Sequence, residues 1–314
     1  MLIRSIVVTL VLFVMPHVAS AQTVSIGTNP QGSLAYATGA GVAKVAIEDG
    51  DVRMRVVPQG GPVVTLPLLN NGELDFTISN VAVSSFAHLG KEMFKGRKQD
   101  KIRLVAVLFP LQSAWYVRKD SDIKTLKDLK GKRVPSKFTK QKIVGLNAAS
   151  VLATVGLSFK DLQGVPVPNG VRGVRDFMEG KTDAAFFSIT SGITRQADAS
   201  VGGIRVLSMA NTPEALAALQ SVVPAGTIGT VQPGKRYPGV MGPTHVYVAP
   251  FVVNASTKTP DETVYKVVKS LHDNKKKLIS SHGMFNRFNP AKMHVDLGVP
   301  YHPGAMKYYK EHGM

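Results

Sequence analysis

The stretch VSIGTNPQGSLAYATGAGVAKVAIEDGDVRMRVVPQGGPVVTLPLLNNGELDFTISN, residues 24–80, reads as strand, helix, strand, helix, strand. Val24, Ser25 and Ile26 open a short strand, and the loop over residues 27–33 leads into a helix-like run over residues 34–48 that Gly50 closes. Val52, Met54 and Val56 alternate with charge, which predicts a second strand over residues 53–58. Gln59, Gly60 and Gly61 then turn the chain into a helix with Pro62 at its first position and Asn70, Asn71 and Gly72 at its end. A third strand, residues 74–79, stops at Asn80. This order favours a parallel sheet with right-handed crossovers, and in such sheets ligands sit outside the carboxyl ends of the strands. The loops after the strands therefore converge on one place.

Toward the amino terminus, Arg4 precedes an apolar run over residues 6–15, followed by Pro16 and the small residues Ala19, Ser20 and Ala21. That is the pattern of a secretory signal peptide, residues 1–21, cleaved near Ala21. The run is too short to span a bilayer core of about 30 Å, so the expected product is an exported, periplasmic protein starting near Gln22. Toward the carboxyl terminus, strand-like runs at residues 103–109 and 114–118 precede a polar, lysine-rich segment, residues 120–132. A second unit begins there, with short strands at residues 132–136, 165–167, 184–188 and 204–209 and helices at residues 143–155 and 171–179. Residues 224–244 are rich in Gly and Pro without periodicity and read as loop. Residues 245–253 return to a strand, and a helix from Asp261 places Val264, Val267, Val268 and Leu271 on one face. One lobe is expected at residues 22–118 with 245–314 and the other at residues 119–244. Two chain crossings imply a hinge.

The 314 residues carry 38 Lys and Arg against 21 Asp and Glu, a formal net charge of +17. The lysines are spread in small groups, at residues 95–101, 124–142 and 275–277, rather than gathered in an arginine- and aromatic-rich patch, which argues against a nucleic-acid partner. A positive field suits capture of small anions. Cysteine is absent, so disulfides and thiol chemistry are excluded. The sequence holds no G-x-S-x-G elbow and no H-E-x-x-H. His88, His245, His272, His282, His294, His302 and His312 show no metal-ligand spacing. Neither catalysis nor a metal or cofactor is expected.

The loop at residues 27–33 has the glycine spacing of a phosphate loop, but Ser33 stands where that motif needs lysine. Its backbone N–H groups at a helix start suit any small anion, with Thr28, Asn29, Gln31 and Ser33 as side-chain partners and Tyr36 one turn in. Gln59, Gly60 and Gly61 open the next helix, and adjacent glycines permit close approach to the backbone. Ser79 and Asn80 end the third strand on the same edge. In the other lobe Lys137, Thr139, Lys140 and Gln141 precede a helix, while Phe187 and Ser188 end a strand. Plain turns and surface charge remain the alternatives for each of these segments.

Together these residues resemble the TAXI family of TRAP-transporter solute-binding proteins. The resemblance rests on Ile26-Gly27-Thr28 with Gly32 and Tyr36, on Gly60-Gly61, and on residues 71–76 (NGELDF). Further along, it rests on residues 126–134 (LKDLKGKRV), 180–187 (GKTDAAFF), 224–227 (PAGT) and 299–313 (VPYHPGAMKYYKEHG). It implies an α/β, two-lobed type II periplasmic-binding-protein fold whose cleft closes on a small carboxylate and delivers it to a TRAP-type membrane permease. Carried over by position, the first-lobe contacts are Thr28, Ser33, Tyr36, Gly60 and Ser79 or Asn80. In the second lobe the family's glycine-rich loop is replaced by residues 135–140, PSKFTK. The resemblance implies small carboxylate ligands, acidic amino acid-like ones included. Lys137 and Lys140 suit a second negative charge, so a dicarboxylate or other small organic anion rather than a neutral or zwitterionic compound is expected, with aromatic acids admitted if Phe138 or Phe187 faces the cleft. A monomer is expected. The alternatives are a receptor for a signalling partner and an enzyme on the same fold.

Overall fold

The computed structural model describes residues 23–314, and the expected signal peptide lies outside the described residues. The chain begins β1 (Val24–Thr28), α1 (Leu34–Asp49), β2 (Met54–Pro58), α2 (Pro62–Asn71), β3 (Phe76–Asn80) and α3 (Val81–Leu89). β1 lies between β2 and β3 and runs parallel to both, as the sequence predicts. α2 starts on Pro62, whose missing N–H would be unpaired there anyway, and stops at Gly72, whose φ of 77° is open to glycine at little cost. Because β2 and β3 flank β1 on opposite sides, the loops leaving β1 and β3 diverge and leave a crevice at their carboxyl ends.

Next come β4 (Ile102–Arg118), β5 (Arg133–Ser136), α4 (Lys142–Ala153), β6 (Gln163–Pro166), α5 (Gly170–Met178), β7 (Ala184–Ser188) and α6 (Gly192–Ser200). The chain finishes with β8 (Ile204–Val206), α7 (Pro213–Val222), β9 (Thr227–Val231), β10 (Thr244–Ser256), α8 (Asp261–Asp273), α9 (Lys275–Ser281) and α10 (Pro303–Glu311). An eight-stranded mixed sheet runs β2-β1-β3-β10-β4-β7, with β8 also on β4 and β9 also on β10, while β5 and β6 form a separate parallel pair.

β4 and β10 connect the halves. They run antiparallel, β10 meeting β3 through Phe251–Ala255 and β9 through Thr244–Val248, and β4 meeting β7 through Ser113–Val117. Pro110 stands opposite Pro250, so at that rung neither strand has an amide hydrogen. Around these prolines the packing changes. Val105, Ala106, Leu108 and Phe109 join a core with α1, α8 and α10, whereas Ala114, Trp115, Tyr116 and Val117 join a core with Phe177 and Phe186. Residues 103–109 and 114–118 are thus one strand rather than two. The intervening PLQS reads as a break, but the strand continues because the residues on either side of Pro110 keep their partners on β10. Within the expected loop at residues 224–244, the β-branched run Thr227–Val231 pairs with β10 as an edge strand.

The two halves repeat one local device. Asp75 accepts from Ser25 N at 2.8 Å and Asp183 accepts from Arg133 N at 2.9 Å, each pair fifty residues apart. Each aspartate follows a left-handed glycine, Gly72 or Gly180, in a G-x-x-D turn just before β3 or β7. The order β1-α1-β2-α2-β3-α3 recurs as β5-α4-β6-α5-β7-α6.

Candidate functional site

Each repeat aims helix starts at the gap between the halves. Ser33 caps α1 by accepting from Tyr36 N at 3.1 Å, and Asn80 caps α3 by accepting from Val83 N at 3.0 Å. Pro62 begins α2. Gln141 precedes α4, and its Oε1 accepts from Gly170 N at 2.8 Å, at the first residue of α5. These residues border a cavity of about 40 Å³. Leu34 and Ala35 continue its wall on α1, and Ile143, Val144 and Asn147 continue it on α4. The remaining wall is Asn29 after β1, Ser79 on β3, Leu111 and Ser113 on β4, Phe186, Phe187 and Ser188 on β7, and Phe251 on β10.

No charged side chain lines this space. Its electrostatics come from helix starts, whose first N–H groups have no acceptor within the helix and carry the positive end of the dipole. Two amide oxygens, Asn29 Oδ1 and Asn147 Oδ1, are buried without a hydrogen-bond partner among the described residues. Either amide turned about its terminal bond presents its NH2 group instead. Ser79 Oγ lies 2.6 Å from Ser84 Oγ and accepts from Asn254 Nδ2 at 2.9 Å, which fixes that hydroxyl at the cavity edge. The arrangement can hold one acidic group on hydroxyl, amide and backbone donors, with apolar surface beside it.

Of the residues singled out in the sequence, the cavity brings together Asn29, Ser33, Ser79, Asn80, Phe187 and Ser188. The others lie elsewhere. Thr28 is buried in the first core, its hydroxyl donating to Asn29 O at 3.0 Å. Gln31 is exposed and reaches Tyr36 Oη at 3.4 Å, outside the lining. Gln59 continues β2, its N–H donating to Thr28 O of β1 at 2.9 Å. Gly60 and Gly61 do receive a close approach, but from the other lobe: a Cβ on Gly61 would stand 2.7 Å from Lys140 O, and one on Gly60 2.8 Å from Lys140 Cδ. A second seam contact joins Ile193 N to Gly32 O at 3.0 Å.

Lys137, Thr139 and Lys140 are exposed and absent from the lining. The reason is local. Thr139 N and Lys140 N donate to Val167 O and Pro168 O, which holds the segment against the end of β6, and the Lys140 stem lies on Gly60 at the seam rather than in the cavity. Phe138 is buried in the second core rather than in the cleft. The argument for a second negative charge on the ligand therefore fails. Sequence reasoning missed Ser113, Asn147, Leu111 and Phe251, which sit inside apolar strands or a helix and give no local signal. Gln141 stands in its repeat where Ser33 stands in the first, and the shared G-x-x-D turns are the signal that aligns them. Among the described residues no three His, Asp or Glu side chains are grouped to hold a metal ion.

The fold is that of two-lobed type II periplasmic-binding proteins. The chain is similar to PhnD1 from Prochlorococcus marinus (MIT 9301), solved in complex with methylphosphonate, with a TM-score of 0.57 and 12% identity over 93% of this chain and 98% of that one. It is similar also to the alkanesulfonate-binding protein SsuA from Xanthomonas axonopodis pv. citri bound to MOPS, with a TM-score of 0.50 and 16% identity over 92% and 83%. At these identities the likeness is one of fold. The model of the NMT1-like family matches residues 26–313, nearly the whole described chain, and the protein belongs to the NMT1-like family.

Proposed function

We propose that this protein is an extracytoplasmic receptor, not an enzyme, that closes on a small organic acid with one negative charge and hands it to a membrane permease. The observation that carries the reading is the cavity itself: four helix starts and the unpartnered amides of Asn29 and Asn147 converge on a space with no charged side chain. Backbone and amide donors satisfy one carboxylate, sulfonate or phosphonate group without a counter-charge. Leu111, Ile143, Val144, Phe187 and Phe251 take a short apolar substituent. A space of about 40 Å³ favours a small ligand over a bulky one.

The change of core on the crossing strands near Pro110 and Pro250 supports a lobe boundary there, close to the expected limits at residues 118 and 245, and the pattern of residues 1–21 supports export to the periplasm. No helix among the described residues is long and apolar enough to cross a membrane. The order of motifs shared with TAXI proteins supports a TRAP-type permease and a carboxylate ligand. The test is a panel of short carboxylates, sulfonates and phosphonates followed by melting temperature and calorimetry. A small monoanionic acid raises the melting temperature and binds wild type, and Asn147→Ala weakens it about tenfold or more, the worth of a hydrogen bond to a charged group. Binding of neutral compounds only, or turnover of the acid by the purified protein, overturns the reading.

A further inference from the structure

On β4, Leu111 and Ser113 line the cavity, while Gln112 between them lines a different space, an open groove of about 680 Å³. Alternate strand residues point to opposite faces, so the groove lies on the other side of the crossing strand. Both sides of the seam contribute to it: Arg195 from α6, Lys235 and Arg236 from the β9–β10 connection, and, on the other side, Arg287 from residues 283–287 before α10. No carboxylate lines it. None of these four cations has an ion pair or side-chain hydrogen bond among the described residues. A Cβ on Gly283 would stand 3.1 Å from Arg236 Nε, so the Arg236 guanidinium reaches across the seam onto a position with no side chain to obstruct it. Two further groups await partners. Gln112 is only 1% exposed and its Oε1 is unpartnered, and His282 Nε2, beside Arg195 and Arg236, is likewise buried without a partner.

We propose that this groove is a second anion site that takes a polyvalent oxyanion, a phosphate ester, pyrophosphate or polycarboxylate, and that its occupancy favours the closed arrangement. Four unneutralised cations brought together from both sides of the seam repel one another, and an anion between them removes that repulsion. Guanidinium groups match bidentate oxyanions, and the Gln112 amide supplies a neutral donor at the floor. The inference is independent of what the cavity holds.

The probes are inorganic pyrophosphate and citrate, titrated calorimetrically into wild type, Arg195→Gln, Arg287→Gln and Asn147→Ala at two ionic strengths. Pyrophosphate or citrate binds wild type, each arginine variant weakens it about tenfold or more with a smaller salt dependence, and Asn147→Ala leaves it unchanged. The two probes separate phosphate from carboxylate chemistry. Equal binding by the arginine variants, or no binding of either anion at low salt, overturns the proposal. So does capture by phosphatidylglycerol vesicles without binding of either soluble anion. Loss of pyrophosphate binding in Asn147→Ala assigns the anion to the cavity and overturns it too.

Discussion

Lys137 and Phe138 have φ values of 61° and 41°, a region where glycine is at home and other residues are strained. The backbone thus keeps a glycine-like course where the sequence has PSKFTK, and burial of Phe138 holds it there. Lys137→Gly relieves the strain at an exposed position. It is expected to stabilise the protein by up to about 1 kcal/mol in urea unfolding and to leave ligand affinity unchanged. A loss of stability would show that the lysine side chain contributes more than its backbone costs. His282 is a second telling side chain. Burial, reinforced by Arg195 and Arg236, lowers its pKa from 6.5 to about 4. The unfolded chain therefore takes up a proton as pH falls through 6.5 while the folded chain does not until about 4. Stability is expected to fall on acidification across that window, with a share from His302, which burial also holds low. His282→Gln should flatten the slope, and an unchanged slope would refute the assignment.

The G-x-x-D turn before β3 and before β7 makes a prediction that concerns two elements at once. Asp183 is bonded to Arg133 through backbone and side chain, with Arg133 Nε 3.2 Å from its carboxylate. Burial works to raise its pKa, but the bonds from Arg133 prevail and lower it. Asp75 takes both Ser25 N and Ser25 Oγ. Asp183→Ala and Asp75→Ala should each cost about 1–3 kcal/mol in chemical denaturation, because each leaves strand N–H groups unpaired. A near-neutral result for one alone would break the equivalence of the repeats. This repeat also explains what the sequence made legible. The β1-α1-β2-α2-β3 unit was readable because period, Pro62, Gly61 and Gly72 all agree, and α8 because its four buried apolar residues share one face. β4 and β9 were not, since Pro110 and the Gly- and Pro-rich flanks outweighed local strand propensity until the partner strands were known. For the cavity, Asn29 and Ser33 were legible as polar residues of the loop that opens α1, and Asn80 as the polar end of β3. Ser113 and Asn147 became visible only through tertiary packing, and Lys140 was misread because charge says nothing of direction.

For the molecule as a whole, the halves meet along two seams, Gly32 against Gly192 and Ile193, and Gly60 and Gly61 against Lys140 and Gln141. A Cβ on Gly192 would lie 3.5 Å from Gly32 O, in ordinary contact, so a larger side chain there pushes the lobes apart without disturbing either core. Gly192→Leu is expected to leave the unliganded melting temperature near wild type. It should also enlarge the radius of gyration seen by small-angle scattering and weaken the cavity's ligand tenfold or more. Wild-type scattering together with wild-type affinity would remove this seam from the closing motion. The facing prolines of the crossing strands, Pro110 and Pro250, bear on the same movement. A fold line in paper is easiest where no fibre crosses it. At this rung the two strands share no amide proton, so the sheet can crease there without breaking a bond, and hydrogen exchange should find nothing to report at the crease while its neighbours stay protected. Swinging one half of the molecule against the other then needs no local melting of the sheet at that rung.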